Sequence, residues 1–163
     1  MRPAVLAAGA IAGVAAAWLA LAGQENESAV GVTVEIVGGA AGPEMLALGE
    51  AVYAGNCASC HGAELEGQPN WKRRLESGRM PAPPHDETGH TWHHSDADLF
   101  RLTKEGVAAV VGGDYESDMP GFGGVLSDEE ILAVLAFIKS TWPERERAYQ
   151  AEITKQDALR GGS

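Results

Sequence analysis

The stretch NCASCHG, residues 56–62, holds both cysteines of a 163-residue chain, and a histidine follows the second directly. Its reading decides the fold, because several chemistries use two cysteines at this spacing. A disulfide here would close a tiny loop and gain little loop entropy. A zinc site wants four ligands; Cys57, Cys60 and His61 supply three, and there is no second cysteine pair. A thiol–disulfide redox pair follows a strand and opens a helix in a βαβ context. Here a helical stripe of Met45, Leu48, Gly49, Val52 and Tyr53 runs into the pair instead.

The remaining reading is Cys-x-x-Cys-His, the attachment pattern of a c-type haem. Each thiol can add to one vinyl group along one porphyrin edge. His61, next in the chain, then offers its imidazole to the iron as an axial ligand. Candidates for the sixth ligand are Met45, Met80, Met119 and the histidines of the following loop. Met45 lies on the packed stripe. Met80 comes 19 positions after His61, and Met119 comes 58 after it, in a glycine-rich loop. A ligand for the opposite face needs chain that has travelled around the ring, which favours Met119. A Met/His pair raises the potential for electron transfer.

The remaining composition fits this reading. A net charge of −11 argues against nucleic acid as a partner. With 21 glycines and 6% aromatics, side chains alone build a thin core, leaving room for a cofactor. Residues 3–22 carry no charge and are long enough to cross a bilayer core. Their small residues also suit a cleaved export signal, with the length of the run leaning towards an anchor. Residues 23–42 read as a linker in which VTVEIV could form a strand, with no evident partner strand. The folded domain is expected over residues 43–142, followed by a charged tail, residues 143–163, that need not pack.

Within the domain three helices are expected: one from Pro43, one capped by Ser95 and ending at Gly106, and one capped by Ser127 with Glu130 completing a capping box. The last carries Ile131, Val134, Leu135, Ile138 and Trp142 inward. Between them lie long loops; the first is broken by Pro69, Pro81, Pro83 and Pro84. Thirty irregular residues in a compact domain make sense if they wrap a large group.

Taken together, GEAVYAGNCASCHG, DMPGFGGVLSDEEILAVLAFIKS and their order resemble the class I cytochrome c family, bacterial exported type, over residues 45–142. The resemblance implies an all-α bundle wrapped around one covalent haem c, with first and last helices crossing at Gly49, Tyr53 and Phe137. It implies a proline carbonyl that accepts from the axial histidine, Pro83 or its neighbour Pro84. It also implies a one-electron carrier, not an enzyme, in an exported respiratory or dehydrogenase chain, with redox proteins as partners and no small-molecule substrate. The location would be the periplasmic side of the inner membrane, anchored through residues 3–22, or the soluble periplasm.

The middle of the chain departs from short members of the family. His85, His90, His93 and His94 fall within ten residues. They suit either a polar wrapping loop or a copper-handling site; a haem enzyme with an open sixth position is the other alternative. Trp92 can reach a haem propionate through its indole N–H or simply pack. Asp114, Glu116 and Asp118 precede Met119, so a partner with a basic docking patch is expected.

Overall fold

The computed structural model describes residues 34–36 and 39–161. The apolar run at residues 3–22 lies outside them, as does most of the linker. Among the described residues no helix is long and apolar enough to cross a membrane.

Among the described residues the architecture is all-α apart from one small hairpin. Strand β1 (Val34–Ile36) pairs antiparallel with β2 (Gly39–Ala41) in the register Val34↔Ala41, Glu35↔Ala40 and Ile36↔Gly39. The strand within VTVEIV therefore finds its partner in Gly-Ala-Ala, a segment with no strand propensity of its own. Six helices follow: α1 (Pro43–Asn56), α2 (Ala58–His61), α3 (Asp96–Glu105), α4 (Val107–Val111), α5 (Asp128–Ser140) and α6 (Glu144–Gly161). A single 3₁₀ turn, Thr91–His93, precedes α3.

Local chemistry sets the helix ends. Pro43 stands in the first turn of α1, where its missing N–H costs nothing. Ser95 accepts from the Asp98 N–H to start α3, and Gly106, at φ 89°, ends it. At α5 the capping box is complete: Ser127 accepts from the Glu130 N–H, and Glu130 reaches back to the Ser127 N–H. Each such cap contributes about 1 kcal/mol.

Helix α5 is the centre of the molecule, with Ile131, Ala133, Val134, Leu135, Ala136 and Ile138 all buried. At 100° per residue these positions point in three directions. Val134, Leu135 and Ile138 face a large cavity. Ala136 and Leu132 pack with Ala41, Met45 and Leu46 at the hairpin end of α1. Ala133 and Phe137 meet Gly49 of α1, where a Cβ would stand 2.0 Å from the Ala133 carbonyl oxygen. Only glycine permits so close a crossing.

The charged C-terminal segment, which the sequence left free not to pack, is a helix docked on the domain. Its inner face is polar. Gln150 is fully buried, and its Nε2 donates to the Asp96 carboxylate at 2.7 Å. Lys139 of α5 binds the same carboxylate oxygen at 2.7 Å. Thr154 accepts from the Asp96 N–H, and Ser95 Oγ donates to Asp157 at 2.8 Å. Helix α6 thereby clasps the start of α3 and the 3₁₀ turn.

Candidate functional site

Cys57 ends α1 and begins α2 without leaving helical geometry, so Cys57, Cys60 and His61 share a single turn. The Cys60 and His61 N–H groups both donate to the Cys57 carbonyl, at 3.1 and 2.9 Å. Gly62, at φ 84°, then turns the chain away, and the Tyr53 hydroxyl holds the Gly62 carbonyl at 2.9 Å. The thiols are not joined to each other. Burial and the neighbouring Cys60 push the Cys57 thiol up to about 11. A redox dithiol needs the opposite shift, towards thiolate at neutral pH, so the local environment disfavours thiol–disulfide chemistry.

His61 is buried, and its Nδ1 lies 2.8 Å from the Pro83 carbonyl oxygen. A carbonyl can only accept, so Nδ1 carries the proton and Nε2 keeps its lone pair. That is the tautomer a metal ligand requires, with its second nitrogen anchored as ligating histidines usually are. Burial lowers the His61 pKa against the opposing pull of the Pro83 bond, which keeps the ring neutral.

These residues open onto a cavity of about 470 Å³, within the range of cofactor sites. Cys57, Cys60 and His61 lie in its wall together with Met80, Pro83 and Met119, and the rest is largely apolar: Leu99, Leu102, Val107, Phe122, Val134, Leu135 and Ile138. The donor set therefore fits a haem on every count: two thiols one turn apart, a neutral imidazole with a free Nε2, thioethers in the wall, and an apolar interior. The family model for cytochrome c matches residues 46–142, more than half of the chain.

This chain belongs to the cytochrome c family.

A relative is the Cbb3-type cytochrome c oxidase subunit FixP of Sinorhizobium medicae, 25% identical over 147 residues. The alignment takes in 87% of this chain but only 46% of the relative, so the chain spans less than half of that protein's length. Membership brings a covalently bound haem c, iron and electron transport as the chemistry of the domain.

Two loops close the cytochrome c cavity. The proline loop carries Met80 and Pro83 and is tied down by hydrogen bonds between Gln68 and Ala82 in both directions, each 2.9 Å. The Met119 loop is pinned to the end of α3: Phe122 N–H donates to Thr103 O and Gly123 N–H to Lys104 O, both at 2.9 Å. Gly121 makes this approach possible, since a Cβ there would sit 2.5 Å from the Glu105 carbonyl oxygen. Arg79 joins the two loops, binding Glu116 at 3.3 Å and also Asp118. The acids before Met119 are thus partly neutralised from within the chain.

Trp92 packs against the core cluster, one of the two places open to it. Its indole N–H donates to the Glu87 carbonyl at 3.3 Å, its ring stacks on His93, and it does not line the cavity. An indole in need of an acceptor found one in its own loop. Of the loop histidines, His85, His90 and His94 line the cavity and His93 does not. His93 lies on Trp92, His85 stacks on His61, and His90 stands between Trp71 and His94. Among the described residues no three His, Cys, Asp or Glu side chains converge as metal ligands. Sequence reasoning missed Thr91 in the cavity wall, which carries no local signal for that role.

Proposed function

We propose that this chain is a one-electron carrier that holds a single haem c through Cys57 and Cys60, with His61 and Met119 as axial ligands. The observation that carries the reading is the His61 Nδ1–Pro83 bond, which leaves Nε2 available in the same cavity wall as both thiols and Met119. Bound there, the haem supplies an iron that cycles between ferrous and ferric states.

The chain's own residues do the rest. Pro83 fixes the His61 tautomer and raises its basicity. Leu99, Leu102, Val134, Leu135 and Ile138 exclude water from the interior. His90 and His94 also line the cavity, and Met80 is the thioether rival to Met119. It sits three positions before Pro83, on the loop that already holds His61, whereas Met119 comes from a separate loop anchored on α3. That separation favours Met119 as the residue from the opposite side.

The relative's name supports a place in a respiratory chain that ends at an oxidase. The partners are redox proteins. Asp114, Glu116, Asp118 and Glu129 are exposed, and a partner with a basic docking patch fits them. Arg79 offsets two of the four, so association should fall with salt less steeply than the raw acid count suggests. Residues 3–22 serve as a tether or export signal, with the domain on the periplasmic side of a bacterial inner membrane.

Spectroelectrochemical titration of the purified holoprotein tests this reading. One reversible single-electron wave is expected, with low-spin spectra in both states. A high-spin ferrous form that binds carbon monoxide rapidly would instead support a haem enzyme with an open sixth position.

A further inference from the structure

We propose that His85 is a positioning residue for the axial imidazole, a flat wedge that sets the plane in which His61 is presented to the iron. The inference rests on the reading of His61 as an axial ligand. The two rings lie 3.9 Å apart between centroids at an interplanar angle of 21°. Stacking at this distance leaves His61 no room to turn towards His85.

The wedge is itself held at several points. The His85 N–H donates to Leu65 O at 2.8 Å, and its carbonyl accepts from Trp142 Nε1 at 2.7 Å. Its Nδ1 shares a hydrogen bond with Thr91 Oγ1 at 2.8 Å. The Tyr53 ring meets it edge-on at 6.2 Å. Trp142, at the end of α5, thus reaches the axial ligand through one intermediate residue.

The Pro83 bond restrains the turn of His61 about Cβ–Cγ, but a single hydrogen bond tolerates a wide range of angles, and a packed face narrows that range. The torsion that rotates an imidazole has a broad minimum. A small turn of the His61 ring would change how its Nε2 is presented to an iron bound there. His85 also covers one face of His61 against water. Water near the iron favours the more highly charged ferric state, so the covered face favours the ferrous one.

The test compares holoprotein variants by electron paramagnetic resonance of the ferric form and by midpoint potential. In His85→Ala the g-values should shift. The ferrous-to-ferric ratio at a fixed ambient potential should fall by about threefold or more. In His85→Phe a flat face remains without the Thr91 bond, and the g-values should stay near wild type. Wild-type g-values and potential in a haem-loaded His85→Ala protein would overturn the proposal. If that variant loses haem, His85→Leu takes its place, and an unchanged spectrum there overturns it equally. His61→Gly separates the two claims: a wild-type spectrum surviving that change defeats the ligand assignment itself, whatever His85 does.

Discussion

Replacing Met119 with leucine is expected to abolish the sulfur-to-iron charge-transfer band of the oxidised protein, to let the ferrous form bind carbon monoxide, and to lower the midpoint potential by about 0.2 V. Leucine keeps nearly the same volume, so the cavity wall stays filled while the thioether is lost. The loop itself should survive. Its anchors are backbone bonds from Phe122 and Gly123 to the end of α3, together with the Arg79 bridges, and none involves the Met119 side chain. Met80→Leu is the necessary companion, because Met80 lines the same cavity. It should retain the band and the potential. The reverse pattern in the two variants would transfer the ligand role to Met80 and leave the covalent site untouched.

The second large effect is structural. Gly49→Ala is expected to destabilise the holoprotein by about 3 kcal/mol, and Gly49→Val to prevent folding. The added Cβ would lie 2.0 Å from Ala133 O, 2.6 Å from Ala133 C and 2.8 Å from Phe137 Cβ. Backbone atoms cannot step aside as a flexible side chain can, so α1 and α5 would have to part. Both helices wall the cavity, α5 through Val134, Leu135 and Ile138 and α1 through Asn56 next to Cys57, so parting them also loosens the site. At Gly55, in the same helix, an added Cβ would meet nothing within 4 Å. Gly55→Ala should be neutral or stabilise by about 0.5–1 kcal/mol. Guanidinium unfolding followed by far-ultraviolet circular dichroism distinguishes the pair; a Gly49→Ala loss below about 0.5 kcal/mol would refute the close crossing.

What the sequence made legible was whatever depends on near neighbours. Ser95, Gly106 and the Ser127–Glu130 box act within a few residues of themselves, and their helices begin and end where those signals stand. Cys57, Cys60 and His61 fall within five residues, so little more than one helical turn suffices to group them. The apolar stripe of α5 named five residues that the fold buries, and three of them, Val134, Leu135 and Ile138, face the cavity.

What was hidden depends on distant partners. Helix α6 gave no apolar stripe because it docks through Gln150, Thr154 and Asp157, and a polar face looks solvated until Ser95 and Asp96 are known to meet it. Strand β2 has no propensity and exists by pairing with β1. Trp92 drew attention for its donor, but a donor does not say which acceptor it will take; here it meets the Glu87 carbonyl. His85 looked like one of four loop histidines; only the fold brings it over His61. The Pro83 carbonyl is the instructive middle case. The family resemblance raised it with Pro84 as a rival, and the hydrogen bond to His61 falls on Pro83.

All of this depends on a porphyrin bonded through two sulfurs. The most direct measurement is the intact mass of the chain after expression in a host that matures c-type cytochromes, taken after acid–acetone extraction and alkylation. The expected result is the polypeptide plus one haem, with neither Cys57 nor Cys60 alkylated. A bare polypeptide carrying two alkyl groups would contradict the account at its root.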